Sequence, residues 1–393
     1  MATSEGAASG GPASGSAITP VTMPKFGLAM TEGKVAGWIK PEGAVVSPGD
    51  ELADIETSKI TNAYESPAKG ILRRHVAPVQ QDLPVGALIA VITDESVSDG
   101  EIEAFVAQFQ AEFAARQEAG GSEEAATPIT IEAGGRRIRY LEMGTDHGGA
   151  PVVLVHGFGG DLNGWLFNQG ALAERHHVLA LDLPGHGEST KSVGSGDLAT
   201  LSAALVAFLD ALGCERAHLA GHSLGGAIAL RTALDHPTRV ASLALICPAG
   251  FGAEINDAFT GGLVAASKRK QLQPVLEMLF ANPELVSRDM VENMLRAKRL
   301  DGAQQALEAI DKANFAGGRQ AESLVGRLGE VRVPVQLIWG AEDKIIPAAH
   351  ASTLPPNIHV NVLPGTGHMP HMERAAEVNR ILLDFLASGA GAA

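Results

Sequence analysis

The sequence predicts two folded parts in series. A small all-β domain spans residues 19–93, and an α/β domain with a helical cap spans 128–388, the cap lying at about 253–327. Three observations predict this. Residues 21–92 hold short β-type runs broken by turn residues, with no helical periodicity. From Pro128 onward, short apolar runs such as Pro151–Val155 alternate with helical patterns, which is how the doubly buried strands of a parallel sheet read. After Pro248-Ala249-Gly250-Phe251-Gly252 the alternation breaks, and only helical patterns follow until Val335.

Composition bounds the function. The chain has 393 residues, 45% hydrophobic and 19% charged, enough for two or three cored domains. A net charge of -15 disfavours nucleic acid and anionic membranes as partners, because both repel it. Cys214 and Cys247 are too few for a disulfide framework and read as reduced, structural residues. Met1–Ser16 has no basic start and no apolar block, so the expectation is a cytoplasmic protein without signal peptide or membrane span. Residues 1–18, rich in Ser, Gly and Ala, read as a disordered leader.

The β domain repeats itself. Val46–Ile55 aligns with Leu83–Ile92 at an offset of 37, as two facing half-sheets would. Between the halves, Asp54-Ile55-Glu56-Thr57-Ser58-Lys59-Ile60-Thr61 brings two strand-like runs together and places Lys59 at a hairpin tip, where a lysine is ordinarily just solvated. With Glu42-Gly43 and Pro48-Gly49-Asp50 upstream and Ser66-Pro67-Ala68-Lys69-Gly70 downstream, the module resembles the lipoyl domains of 2-oxo-acid dehydrogenase complexes. That resemblance implies covalent lipoate on Lys59. Ser58 and Ile60 depart from the acidic residue and the alanine that most members carry. The methionines flanking the lysine in biotinyl relatives are absent here, which favours lipoate over biotin.

Residues 94–127 read as an acidic helical linker. Phe105, Phe109 and Phe113 recur every four residues, the mark of a helix with one aromatic stripe that docks on one of the chain's own domains. From Asp94 to Glu124 nine acidic residues face one basic residue, Arg116, so the end of the segment is expected to be a solvated tether.

In the α/β part, Ala217-His218-Leu219-Ala220 runs into Gly221-His222-Ser223-Leu224-Gly225-Gly226, and helical spacing begins at once. A strand that turns into a helix with almost no loop is a nucleophile elbow, with Ser223 at its tip. His156-Gly157-Phe158-Gly159-Gly160 leaves the strand before it, so the Phe158 and Leu224 amides are candidates for holding an oxyanion. Leu183-Pro184-Gly185-His186-Gly187-Glu188-Ser189 follows the next strand and resembles the α/β-hydrolase family; Asp182 and His186 read as turn-shaping residues outside catalysis. Asp343 lies just past the strand Val335–Gly340, with Glu342 as rival. His368 lies past the strand Ile358–Leu363, with His371 as rival; Gly365 and Gly367 give its loop freedom to aim at Ser223. Ser223, Asp343, His368 is the chain order of the α/β-hydrolase triad.

Joined in this order, the two parts resemble the acetyltransferase components of acetoin dehydrogenase complexes. The resemblance implies transfer of an acetyl group from lipoyl-lysine to coenzyme A as co-substrate, with no metal. It also implies two partners, a thiamine-diphosphate-dependent acetoin dehydrogenase component and a dihydrolipoamide dehydrogenase, and is compatible with a homo-oligomer. A water-using esterase, thioesterase or carbon-carbon bond hydrolase with an attached carrier is the alternative, and a non-catalytic scaffold a further one. Direct transfer between thiols, with Ser223 only donating a hydrogen bond, also stays open.

Overall fold

The computed structural model describes residues 18–24, 30, 32–56, 61–118, 126–352, 354 and 358–389, which fall into an N-terminal and a C-terminal compact unit. Lys59 lies outside the described residues, as do residues 1–17 of the expected leader and 119–125 of the acidic segment.

In the N-terminal unit the strands are β1 (Ile18–Thr22), β2 (Glu32–Trp38), β3 (Val45–Val46), β4 (Glu51–Glu56), β5 (Thr61–Glu65), β6 (Gly70–His75), β7 (Asp82–Pro84) and β8 (Leu88–Thr93). They form two four-stranded sheets, ordered β1-β8-β6-β3 and β5-β4-β2-β7. The internal repeat accounts for this pairing: β3 with β4 corresponds to β7 with β8, and each of these pairs gives one strand to each sheet. Val35, Val46, Leu52, Ile55, Leu72 and Ile89 are wholly buried in this unit. By sequence, Lys59 falls between β4 and β5, which are neighbours in one sheet.

The helix α1 (Asp99–Glu118) starts at a capping box. The Ser98 amide donates to Glu101 at 2.9 Å, and the Glu101 amide donates back to the Ser98 hydroxyl at 3.3 Å. Arg73 of β6 pairs with Asp99 at 2.7 Å and anchors the same end. Ile102, Phe105 and Phe109 pack on Leu88 and Val91, which is why β8 is buried along its whole length. The aromatic stripe thus docks the helix on its own N-terminal unit.

The C-terminal unit is an eight-stranded sheet of β9 (Ile129–Ala133), β10 (Arg136–Met143), β11 (Val152–Val155), β12 (Val178–Leu181), β13 (Ala217–His222), β14 (Val240–Ile246), β15 (Val335–Gly340) and β16 (His359–Leu363). Its order is β16-β15-β14-β13-β11-β12-β10-β9. Strands from β12 through β16 run parallel, while β9 and β10 form an antiparallel edge. Strand β9 carries no clear sequence signal because it is an edge strand with mostly exposed residues.

The helices α2 (Gln169–Ala173), α3 (Leu198–Ala211) and α4 (Leu224–Asp235) precede the cap. The cap helices are α5 (Asp257–Ala265), α6 (Arg269–Glu277), α7 (Arg288–Lys298) and α8 (Ala303–Asn314), and α9 (Pro370–Glu373) and α10 (Ala375–Gly389) close the chain. Among the described residues no helix is long and apolar enough to cross a membrane. β12 lies on one side of β11 and β13 on the other, so the winding reverses there. At such a switch point the strands' carboxyl ends open a crevice. Those ends carry His156-Gly157-Phe158 and Ser223.

Candidate active site

The elbow is a strained turn held from both sides. Ser223 has φ 52° and ψ -118°, a left-handed backbone that a side chain adopts only under constraint. Its amide donates to the Ile246 carbonyl at 3.0 Å, and its carbonyl accepts from Ala249 at 3.0 Å and Ala227 at 3.2 Å. Glycine is required on each side because the backbone passes too close for a Cβ. One at Gly221 would run into the Gly225 carbonyl, and one at Gly225 into the carbonyls of Val155 and His156.

The structure brings Asp343 and His368 together. The His368 Nδ1–H donates to Asp343 Oδ2 at 2.7 Å, and both side chains are buried. Asp343 Oδ2 also accepts from the Trp339 indole at 3.1 Å, and Oδ1 from the Ile345 and Ile346 amides at 2.8 and 3.0 Å. Burial opposes ionisation of this carboxyl, but the adjacent His368 and these hydrogen bonds outweigh it and hold its pKa below the usual range. With Nδ1 committed to Asp343, Nε2 of His368 faces inward without a hydrogen-bond partner among the described residues. Ser223 and His368 line the same cavity. Of the rivals, Glu342 accepts the Thr366 amide at 2.9 Å, while His371 lines the same cavity with its ring 4.6 Å from those of Trp165 and His222 but has no carboxylate hydrogen-bonded to it among the described residues.

The first glycine loop packs against the elbow, since a Cβ on Gly157 would lie 3.0 Å from the Ser223 Cβ. His156 fixes it, Nδ1–H donating to the Gly157 carbonyl at 2.8 Å and Nε2 accepting the Leu183 amide at 3.0 Å. Neither the Phe158 nor the Leu224 amide has a hydrogen-bond partner among the described residues. Both are free to meet a ligand oxygen.

Between sheet and cap lies a cavity of about 610 Å³. Phe259, Leu263, Leu276, Leu279 and Phe280 of the cap line it. Hydrogen bonds tie the cap to the loops that carry Asp343 and His368. The His368 amide donates to the Leu279 carbonyl at 2.8 Å. Glu373 accepts from Gly367 and from Ala281, each at 2.8 Å, and Lys344 Nζ donates to the Phe280 carbonyl at 3.3 Å.

Three residues near the site carried no functional reading in the sequence. The His222 Nε2–H donates to the His368 carbonyl at 2.8 Å and so props the histidine loop; its place between Gly221 and Ser223 was the available signal. His186, read as turn-shaping only, also lies on the cavity wall, with Nδ1 3.2 Å from the Pro184 carbonyl and Nε2 without a partner among the described residues. Cys247 has φ 42° and sits with Asp343 and His368, their donor atoms all within 4.8 Å. Burial and the Asp343 charge push its thiol pKa well above the usual range. Only the pairing of β14 with β15 brings it there, and no local pattern encodes that.

The buried imidazoles set a pH dependence of stability. Burial pushes the pKa of His222 and His186 well below 6.5, that of His218 to about 4 and that of His371 to about 3. A folded pKa below the unfolded one means stability is full above pH 6.5 and is lost as pH falls toward the folded value. Asp161 and Glu373, raised by burial, work in the opposite sense but are fewer. Lowering pH from 7 to 5 is therefore expected to cost about 2 kcal/mol for each of the buried His186, His222 and His371, and less for the half-buried His218, which solvent screens. Urea midpoints at the two pH values measure it, and an unchanged midpoint would contradict neutral burial.

A family model for the alpha/beta hydrolase fold matches residues 150–375, and a model described as biotin-requiring enzyme matches residues 19–92. The chain is similar to the dihydrolipoyllysine-residue acetyltransferase component of the acetoin cleaving system of Pseudomonas putida, with 50% identity over 94% of this chain and 99% of that protein. It is likewise similar to the component of that name from Cupriavidus necator, with 45% identity over 94% of this chain and 97% of that one. Among solved structures it is similar to a meta-cleavage product hydrolase from Pseudomonas fluorescens. The TM-score is 0.60 at 22% identity, covering 66% of this chain and 97% of that chain, which is a likeness of fold.

Proposed function

Because the chain belongs to the family of dihydrolipoyllysine-residue acetyltransferase components of acetoin cleaving systems, built on an alpha/beta hydrolase fold, we propose that its C-terminal unit transfers an acetyl group from a lipoyl-lysine thioester to coenzyme A. The observation that carries this reading is the His368–Asp343 pair, which leaves Nε2 unpartnered on the wall of the cavity that Ser223 also lines. Lipoate in amide linkage to Lys59 supplies the thiol that delivers the acyl group. The N-terminal unit fits this role, with two matched half-sheets and Lys59 falling by sequence between adjacent strands.

In this reading Ser223 Oγ bonds to the thioester carbon while its proton passes to His368 Nε2. Asp343 stabilises the imidazolium, and the Phe158 and Leu224 amides meet the oxyanion. The imidazolium then protonates the departing thiolate. Next, His368 takes the proton of the coenzyme A thiol as its sulfur attacks the acyl-Ser223 ester, and returns it to Ser223 Oγ. A thiamine-diphosphate-dependent component that loads the arm and a dihydrolipoamide dehydrogenase that reoxidises it complete the reading, in the cytoplasm.

The test supplies the lipoylated chain with acetyl-dihydrolipoamide and coenzyme A, and measures acetyl-coenzyme A against free acetate. Acetyl-coenzyme A as main product is expected, and acetate alone would favour a hydrolase. Peptide mass mapping should find a lipoyl adduct on Lys59; its absence in a lipoate-sufficient host removes the carrier half of the proposal.

Transfer requires that coenzyme A reach the acyl-serine before water does. Replacing Leu263 and Leu276, both on the cavity wall, by asparagine is expected to move product from acetyl-coenzyme A toward acetate several-fold while Ser223 still attacks. An unchanged product ratio and turnover would mean the cap does not separate the two outcomes.

A further inference from the structure

The cavity wall inverts the charge balance of the molecule. The chain carries 45 Asp and Glu against 30 Lys and Arg, yet the cavity is lined by four cations, Arg139, Lys191, Arg296 and Lys298, and two carboxylates, Asp161 and Glu188. Arg139 is compensated by Asp182 at 3.2 Å and Glu188 at 3.7 Å. Burial, aided by the Asp182 charge, raises the pKa of Asp161, and its carboxylate accepts the Asn163 amide at 2.8 Å.

The other three cations have no carboxylate within ion-pair distance among the described residues. Lys191 Nζ donates to the carbonyls of His186, Gly187 and Ser189 at 3.0, 2.5 and 2.9 Å. Lys298 Nζ donates to the carbonyls of Leu263, Val264 and Ala266, closing the end of α5. Their protons are committed to backbone, burial lowers both pKa values, and the nearby carboxylates, Asp182 and Glu188 for Lys191 and Glu308 for Lys298, offset this only in part. Arg296, on the last turn of α7, is exposed and makes no hydrogen bond or ion pair among the described residues. Helix position explains a cation there. It does not explain an unpartnered guanidinium on the same cavity wall as two lysines in an acidic chain, because like charges raise one another's cost unless an anion joins them.

We propose that Arg296, backed by the fields of Lys298 and Lys191, forms an anion subsite at the cavity that holds a phosphate of the acyl acceptor, making the site selective for a thiol on a phosphorylated arm. The inference rests on the transferase reading and names what selects its acceptor. Arg296 supplies the hydrogen bonds, since its guanidinium fork is uncommitted and suits phosphate oxygens in pairs. The two lysines supply local positive potential, without which the net charge of -15 would repel so anionic a molecule.

The test is titration calorimetry of the lipoylated full chain with coenzyme A and with pantetheine, which has the same thiol and arm but no phosphate. Arg296→Gln is expected to weaken coenzyme A binding about tenfold and pantetheine binding less than twofold, with Arg296→Lys in between. Raising salt from about 50 to 300 mM should weaken coenzyme A binding in the parent more steeply than in Arg296→Gln. Equal effects on both thiols, or an unchanged salt dependence, would overturn the subsite. Arg296 is exposed, so the variant's fold is not at risk. Binding is read apart from turnover. A parent that releases only acetate would sink the transferase reading, whereas these binding ratios decide the subsite in either case.

Discussion

Ser223→Ala is expected to lower acyl transfer by about ten-thousandfold or more, because without the hydroxyl the His368–Asp343 pair has nothing to activate. Lipoylation of Lys59 is expected to persist, since it falls by sequence between β4 and β5, far along the chain from Ser223, and the strands around it have their own core. The measurement is paired on one preparation: acetyl transfer from acetyl-dihydrolipoamide to coenzyme A, and the mass of the Lys59 peptide. Transfer within tenfold of the parent would show that Ser223 forms no covalent bond and would return direct thiol-to-thiol transfer to the front. Loss of both would mean that the units do not act independently.

Asp343→Asn is the second large effect. The change keeps shape but replaces an acceptor facing His368 with an amide whose NH₂ end can face the ring. His368 then turns its bare nitrogen toward residue 343 and its N–H toward Ser223, the wrong tautomer for a base. A loss of about ten-thousandfold in kcat at neutral pH is expected, partly recovered at high pH where serine needs less help. Unfolding should also become easier by about 1–3 kcal/mol, because the Trp339, Ile345 and Ile346 donors lose a charged partner. A variant with near-parent kcat would remove Asp343 from the triad and leave its four hydrogen bonds as turn architecture.

Much of the site could be read from sequence because its chemistry is local. The elbow needs glycine within two residues on each side of Ser223, and the backbone contacts at Gly221 and Gly225 are the reason. Asp343 and His368 follow strand ends, and Lys59 falls by sequence between two strands, which periodicity locates. What stayed hidden depends on which strands and loops meet. Cys247 reaches Asp343 only through the pairing of β14 with β15. The fork of Glu373 reaches from α9 to both Gly367 and Ala281.

Gly367 shows the limit well. The sequence suggests freedom of the histidine loop, and Gly365 does take φ 69°. Gly367 is glycine for another reason: a Cβ there would lie 2.6 Å from the Ala281 amide nitrogen and 2.8 Å from the Leu279 carbonyl. The requirement comes from the cap, more than eighty positions earlier in the chain.

That close approach makes the cap and the base a mechanical interlock. Residues 279–281 hold the His368 amide, share the Glu373 carboxylate with Gly367 and accept from Lys344. If this edge of the cap lifted, it would drag the imidazole off its line to Ser223, so whatever admitted water there would also disable the group that activates it. Leakage along that edge is self-defeating for hydrolysis. Asn293 and Arg296 of α7 line the same cavity from exposed positions and take no part in this interlock.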